Sequence, residues 1–295
     1  MGNPSGDSGR YPASDRLGPT PRDRVLPATR ALCVFIFPFL VVAFVLLHFW
    51  PSADDTGRLF AWRIAPDFTS MMLASAYLGG AYFFVRAVAA EHWHRIGGGF
   101  LPVVLFSGLL GVATVLHWDR FVHGNVAFWL WAGLYFTAPL LVLLAWWSNR
   151  SQSPPVTVDD LLLATPEVAV IAAAGVLSCV TAVVLFALPG WAATVWPWPL
   201  TPLTSRVVGS IFALGFAAVQ VLADRRWSSA RLLVQVALIM LGLMAVAAVR
   251  TFGDFTGDRP LTWLTAVGLI GSLIGLGALY WRREISRAGS RPAAG

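Results

Sequence analysis

Residues 31–50 read ALCVFIFPFLVVAFVLLHFW, and His48 is the one side chain among them that can carry a charge near neutral pH. As a helix, a run of this length crosses the roughly 30 Å hydrocarbon core of a bilayer. It is longer than the apolar core of a signal peptide, and no clear small-residue cleavage site accompanies it. The stretch therefore predicts an uncleaved first transmembrane helix, in which Pro38 introduces a kink.

The composition of the whole chain agrees with a membrane protein. Of its 295 residues, 57% are hydrophobic and 12% are charged, whereas a soluble domain usually has about 25% charged residues. Backbone groups inside lipid must be hydrogen-bonded within their own segment, so apolar runs of this length should be helices. We predict an all-α integral membrane protein with eight transmembrane helices, at 31–50, 68–90, 99–116, 126–147, 167–188, 205–222, 231–249 and 262–281.

The placement of arginine predicts the orientation. The chain has 21 basic residues, all of them arginine, and a net charge of +6. Most flank the apolar runs, so we interpret them as a topology signal and expect a lipid bilayer, not a nucleic acid, as the partner. With a cytoplasmic N-terminus, 15 arginines lie in cytoplasmic segments and 6 outside, which satisfies the positive-inside rule. The sequence predicts a multi-pass protein of a bacterial cell membrane with both termini in the cytoplasm.

An internal repeat is indicated by residues that recur at a nearly constant spacing. Trp62, Pro66, Leu78 and Gly79 recur 136 positions later as Trp198, Pro202, Leu214 and Gly215. Trp129, Leu130 and Ala132 recur 134 positions later as Trp263, Leu264 and Ala266. An even number of helices in each half gives both halves the same orientation, so we predict two tandem, parallel four-helix repeats.

The domain boundaries follow from that repeat. We predict a disordered cytoplasmic tail over 1–30, because its Gly, Pro, Ser and Arg content cannot bury enough apolar surface to fold. The first repeat covers 31–147 and the second covers 167–281. A polar, proline-containing cytoplasmic linker, 148–166, joins them, and 282–295 form a second cytoplasmic tail.

Two corresponding polar turns follow the third and seventh predicted helices. The first reads HWDRFVHG (117–124) and the second RTFGDFTGD (250–258). Both contain an Asp and a Phe ahead of a helix that begins near Trp-Leu. We therefore expect Asp119 and Phe121 to correspond to Asp254 and Phe255, with a slip of one residue. A recurring Asp is typical of a helix cap or a tight turn.

The candidate site lies among the polar residues of the outer face. Loops outside a membrane are ordinarily polar, and that simple explanation accounts for most of these residues one by one. The alternative is a binding site between the two halves. Its predicted members are His117, Asp119, Arg120, His123, Arg250 and Asp254.

A metal or haem site is an alternative use of the outer-face histidines, formed by His48, His117 and His123. The spacing of His117 and His123 does not place both on one face of a helix, which weakens this prediction. We expect no cofactor. Cys33 and Cys179 lie in apolar runs and are predicted to be unpaired, inert thiols. Trp191, Trp196 and Trp198 are predicted to form part of an interfacial aromatic belt.

No ionisable residue lies deep inside a predicted span, which argues against some classes of transport protein. Proton pumps and ion-coupled carriers typically need such groups. We expect a non-catalytic module that binds or transports a small molecule or lipid. The alternatives are a metal- or haem-dependent membrane enzyme and an accessory subunit of a larger complex. Gly271 and Gly275, in Gly-x-x-x-Gly spacing, permit close helix packing; contact with a second chain is an option, although packing within the chain is the preferred interpretation.

Overall fold

Helices account for nearly all the regular structure of the chain. The computed structural model describes residues 23–157 and 160–289, and these include no β-strand. The helices are α1 (Pro27–Phe49), α2 (Ala53–Leu59), α3 (Asp67–Ala89), α4 (Phe100–Leu116), α5 (Val126–Asn149), α6 (Thr165–Ala187), α7 (Pro189–Val195), α8 (Pro202–Ala213), α9 (Phe216–Val219), α10 (Trp227–Arg250) and α11 (Pro260–Gly289).

The prediction of eight membrane-spanning helices is confirmed for the described residues, by length and composition. Six of the spans are α1, α3, α5, α6, α10 and α11, together with short flanking turns. The third span is α4 with the 3₁₀ turn before it, Gly97–Leu116, and the sixth combines α8 and α9 over Pro202–Leu222. Many large apolar side chains of these helices are exposed, such as Val249 (80%) and Val267 (70%). That surface suggests a lipid environment.

Two predicted boundaries need correction. Helix α1 begins at Pro27, within the segment predicted to be disordered. Proline suits the first helical position, and hydrogen bonds to other parts of the chain hold the segment in place. The Leu26 N–H donates to Oδ1 of Asn149 (3.0 Å), and Arg30 donates to the Ala90 carbonyl (2.8 Å). Helix α11 continues to Gly289, past the predicted end at 281. The remainder of the predicted tails, 1–22 and 290–295, lies outside the described residues.

The eight spans define two faces of the molecule. The terminal face carries both ends of the described chain, with the connections 90–96, 153–164 and 223–226. The opposite face carries α2, α7 and the turns 117–125 and 251–259. We call residues 23–157 the first half and residues 160–289 the second half. Each half contributes four spans.

Helix α3 lies at the centre of the packing. It contacts α1 in its own half and α10 in the other, and its buried residues run from Phe68 to Ala87. The second contact between the halves joins α4 to α8. Within the halves, α4 packs on α5, α6 on α8 and α10 on α11. By contrast, none of the residues in the most hydrophobic part of α11 is buried within the protein.

The sixth span is broken between α8 and α9. The helix ends at Ala213, and the Leu214–Gly215 turn leads into α9. Ser178 on α6 donates its hydroxyl to the Phe212 carbonyl at 2.7 Å, which satisfies an acceptor near the break. Backbone irregularities at membrane depth require such a partner. A Cβ atom on Gly215 would lie 2.4 Å from Cβ of Ser178, so glycine allows α6 to approach.

The glycines of α11 are not used in packing within the chain. A Cβ atom added at Gly268, Gly271, Gly275 or Gly277 would meet no described heavy atom within 4 Å. The preferred interpretation of Gly271 and Gly275 as an intramolecular contact is therefore wrong, because α11 turns this side away from α10. A contact with a second chain stays a prediction.

We expect Gly175→Ala to destabilise the protein and Gly268→Ala to leave it unchanged or slightly more stable. At Gly175 the new Cβ would lie 2.8 Å from both Cβ of Ala218 and the Gly215 carbonyl oxygen. Overpacking of this kind costs about 1–3 kcal/mol. At Gly268 the alanine meets open space and improves helix propensity. The apparent Tm of the detergent-purified variants measures both effects, and equal Tm values would contradict the close α6–α9 packing.

Candidate functional site

His117 forms the first of two histidine–arginine pairs on the opposite face. Helix α4 ends at Leu116, which leaves His117 as its C-terminal cap. Nε2 of His117 lies 2.6 Å from Nη1 of Arg206 on α8. A guanidinium can only donate, so the imidazole accepts through an unprotonated Nε2. Partial burial lowers the pKa of His117, and the positive charges of Arg206 and Arg120 lower it further. The negative charge of Asp119 acts in the opposite direction but does not cancel these effects.

His48 and Arg250 form the second pair. Nη1 of Arg250, the last residue of α10, donates to the His48 carbonyl at 3.1 Å and lies 3.4 Å from Nε2 of the same residue. The imidazole of His48 is buried and stacks on Phe44. Its Nδ1 has no hydrogen-bond partner among the described residues. In both pairs the histidine belongs to the first half and the arginine to the second.

Asp254 also connects the two halves. Its Oδ2 accepts a hydrogen bond from the Phe68 backbone N–H at 2.9 Å, which satisfies a free amide at the start of α3. The ring of Phe68 lies 4.7 Å from that of Phe255 and 4.6 Å from that of Trp198. Asp254 thus caps α3, a helix of the other half. The sequence pattern suggested instead that it would cap the helix that follows it or form a tight turn.

The two polar turns, 117–124 and 250–258, have similar local geometry. Phe121 and Phe255 each follow a 3₁₀ turn and each pack on a tryptophan, Trp62 at 5.3 Å and Trp198 at 5.7 Å. Asp254, however, is the last residue of its turn, where the first half has Arg120. This geometry gives the predicted correspondence of Asp119 with Asp254 no support.

The other predicted site residues do not join these contacts. The exposed side chain of Asp119 pairs with its neighbour Arg120 at 3.3 Å. His123 is exposed and packs against the rings of Trp118 and Phe128. The predicted members of the outer-face site are thus divided among several separate contacts.

The three histidines of the alternative metal site have different surroundings. His48 contacts Arg250, His117 contacts Arg206, and His123 packs on aromatic rings. Among the described residues no group of three or more His, Cys, Asp or Glu side chains is arranged to hold a metal ion. The geometry gives the metal or haem prediction no support.

Two of the three tryptophans assigned to an aromatic belt are buried in the core. Trp196 and Trp198 are shielded from the surface, while Trp191 is exposed. Nε1 of Trp198 donates to Oγ1 of Thr69 on α3 at 3.0 Å. The belt interpretation is therefore wrong for Trp196 and Trp198, because the segment folds inward over the N-terminal end of α3.

A cavity lies on the terminal face, where α3 of the first half meets α10 and α11 of the second. It has a volume of about 480 Å³, within the range of roughly 300–1,000 Å³ common for small-molecule sites. We call it the terminal-face pocket. Its charged lining residues are Arg86, Arg95, Arg231, Arg287, Glu91 and Asp160, and its other lining residues include Trp227, Ser228, Leu232 and Gln235.

A hydrogen-bonded network closes one side of this pocket. Tyr82 donates to Gln235 at 3.0 Å, and Gln235 donates to Tyr280 at 2.8 Å. Arg231 binds Glu284 through Nε at 2.7 Å and Nη2 at 2.9 Å. The network positions α11 against α10 and neutralises Arg231.

Arg86 and Arg95 differ from Arg231 in having no ion pair or hydrogen bond with another described residue. Both side chains are exposed and line the pocket. Sequence reasoning missed this site because it attributed every arginine near a span end to topology. The only sequence signal was the recurrence of arginines around 86–95 and 225–231 on the same predicted side.

A smaller cavity of about 180 Å³ lies on the same face, lined by residues that include Trp93, His94, Trp146 and Gln220. Nδ1 of His94 lies 2.6 Å from Oδ2 of Asp23. Burial lowers the pKa of His94 even though Asp23 acts in the other direction. With less space and a histidine already engaged, this cavity is the weaker candidate.

Comparisons with known proteins identify no relative of this chain: no family model, no curated protein and no solved structure matches it significantly. The contacts and cavities of the described residues are therefore the basis for a proposed function.

We predict that the protein loses stability as the pH falls below the ordinary histidine pKa of 6.5. Because the folded-state pKa of His117 is lowered, the unfolded chain takes up the proton first, and stability falls with pH. His117→Gln keeps an acceptor for Arg206 and removes the titration. It should flatten part of the slope of apparent Tm between pH 7 and pH 5, and His94 accounts for a further part.

His123→Gln is the matched control for this titration. His123 belongs to the same turn, but among the described residues its exposed imidazole forms no hydrogen bond or ion pair. The slope should stay as in the wild type. An unaltered slope in His117→Gln would show that the His117–Arg206 contact does not contribute.

Proposed function

We propose that the chain is a non-catalytic membrane protein that binds an amphiphile in the terminal-face pocket. The observation that carries the proposal is a cavity of about 480 Å³ at the junction of the two halves, lined by two arginines without partners among the described residues. It lies where three spans reach the terminal face, so it borders both bilayer and water. The arginine distribution supports a cytoplasmic terminal face in a cell membrane.

We also propose that the halves are tandem, parallel repeats of four spans. The pattern of packing supports this: α1–α3 corresponds to α6–α8, α4–α5 to α10–α11, and the cross-half contact α3–α10 to α8–α4. The short helices α2 and α7 have seven residues each and follow the first span of their half.

Individual hydrogen bonds recur at the spacing found in the sequence. The Val122 N–H donates to the Ala61 carbonyl at 2.9 Å, and the Thr256 N–H donates to the Pro197 carbonyl at 2.8 Å. Nε1 of Trp129 donates to the His123 carbonyl (3.0 Å), as Nε1 of Trp263 does to the Gly257 carbonyl (3.1 Å). Chance similarity of Trp-rich segments would not reproduce equivalent contacts, so these bonds favour a duplication.

The geometry favours binding over passage through the membrane. The deepest lining residue, Gln235, lies eight residues into α10, or about 12 Å along the helix. Beyond it α3 and α10 are in close contact, since a Cβ atom on Gly79 would lie 2.5 Å from Cγ of Met240. On the opposite face, three of the six residues first assigned to a binding site, His117, Arg250 and Asp254, each contact a partner from the other half.

We expect photo-crosslinking to detect the amphiphile. Cells expressing the full chain are fed a diazirine-bearing fatty acid, and crosslinked peptides are mapped by mass spectrometry. The segments 86–96 and 227–235 should be enriched relative to the lipid-facing residues of α11. Ala89→Trp places a large ring in the pocket and should remove that enrichment.

Ala288→Trp is the matched control, because Ala288 is exposed on the terminal face and lies outside the pocket lining. It should leave the crosslinking pattern as in the wild type. Uniform labelling of all exposed spans, or equal labelling of the two tryptophan variants, would count against the proposal.

A second candidate function, contact with another copy of the chain, is favoured by the exposure of α11. Gly271 and Gly275 lie on an open surface, and the Gly-x-x-x-Gly spacing suits a self-complementary helix crossing. A contact of this kind would leave the terminal-face pocket unchanged.

We expect Gly271→Leu to abolish self-association by blocking the close approach of two α11 helices. Ile270→Leu changes an exposed neighbour on another side of α11 and should have no effect. Light scattering of the detergent complexes gives the oligomeric state. A monomeric wild type, or a dimer unaffected by Gly271→Leu, would contradict the contact.

A further inference from the structure

We propose that the terminal-face pocket binds the phosphate-bearing, anionic headgroup of a membrane lipid, with Arg86 and Arg95 as the phosphate ligands. The inference rests on the proposed function and names its ligand class. Basic pockets between transmembrane helices are suited to anionic lipid headgroups. Arginine guanidinium groups bind phosphate oxygens through paired, charge-assisted hydrogen bonds.

The charge balance of the pocket favours an anion. Its lining holds four arginines and two acids, an excess of two positive charges. Both Arg231 and Arg287 approach Glu284, which offsets one of these charges. Asp160 accepts hydrogen bonds from Thr157, through the backbone N–H at 2.8 Å and the hydroxyl at 3.2 Å. Among the described residues, neither Arg86 nor Arg95 forms an ion pair with Asp160 or with Glu91, the other acid of the lining, so both guanidinium groups remain available to a ligand.

The position of these arginines matches the depth of a headgroup. Arg86 lies three residues before the end of α3, or about 4.5 Å along the helix. Arg95 belongs to the connection that follows α3 on the terminal face. A phosphate held between them would lie at the bilayer surface, with its acyl chains free to enter the lipid.

The rest of the lining offers neutral polar groups to a headgroup. The hydroxyl of Ser228, in the first turn of α10, is buried and has no hydrogen-bond partner among the described residues. The start of a helix also attracts negative charge. Deeper in the pocket lies the amide of Gln235. This combination of two guanidinium groups, a hydroxyl and an amide suits a phosphate that bears a polyol, such as phosphatidylglycerol.

The test is a ligand-dependent shift in apparent Tm of the purified full-length protein. Three probes are titrated separately: short-chain phosphatidylglycerol, short-chain phosphatidylcholine and inorganic phosphate. We expect phosphatidylglycerol to raise the Tm and the other two to have little effect. The Arg86→Gln/Arg95→Gln double variant should bind phosphatidylglycerol on the order of tenfold or more weakly, because it lacks both proposed phosphate ligands.

Arg282→Gln is the control, since Arg282 is exposed near the terminal face and lies outside the pocket lining. It should retain the wild-type affinity, and an equal loss would reveal a general surface-charge effect and overturn the proposal. Equal shifts with phosphatidylcholine would overturn the anionic specificity, and an equal shift with inorganic phosphate would overturn the lipid assignment. If either occurs while photo-crosslinking still maps to the pocket, the proposed function stands and this inference fails.

Discussion

The enclosure of α3 by α1, α8 and α10 is the contact on which the rest of the structure depends. Two of these neighbours hold further helices: α8 packs on α4 and α6, and α10 packs on α11. Helix α4 in turn packs on α5. Lipid tails provide no hydrophobic force between helices, so close van der Waals contact must stabilise the bundle. The buried face of α3 is rich in small residues, including Ala74, Ser75 and Gly79, which allow that approach. Ser70 adds a hydrogen bond to the Leu47 carbonyl at 3.2 Å.

The two faces of the bundle use their polar side chains differently. On the opposite face, His48, His117 and Asp254 each contact a partner from the other half, and Trp198 and Phe255 fill the space around the end of α3. On the terminal face a cavity lies between the halves, and two of its arginines have no partner among the described residues. Polar side chains on one face therefore join the halves, whereas those on the other include the two arginines of the proposed binding site.

Much of the fold could be predicted from the sequence, because bilayer thickness fixes the length of an apolar helix whatever its neighbours. The predicted spans agree with the helices to within several residues, with the largest difference at the end of α11. Helix ends were less predictable, since they are fixed by partners distant in sequence: Leu26, just before α1, binds Asn149, and Arg283, near the end of α11, pairs with Glu167. The similarity of the segments around Phe121 and Phe255 was visible in the sequence, but the comparison of the two turns required their geometry.

The candidate site was much less predictable than the spans. Sequence identifies polar residues but not the groups that satisfy them, so His117 and Asp254 looked available when each has a partner in the other half. Arg86 and Arg95 looked like topology signals, yet they line a cavity that exists only where α3 meets α10. Trp198 is a further example. The Trp-rich segment around it suggested a position at the membrane interface, whereas its hydrogen bond to Thr69 places it in the core.

The two histidine–arginine pairs have a consequence for the exchangeability of the halves. Both histidines come from the first half and both arginines from the second. An assembly of two first halves would contain the imidazoles without their guanidinium partners. An assembly of two second halves would contain the guanidinium groups without the imidazoles. At these two contacts the halves are chemically complementary, and neither half can supply the partner that the other provides.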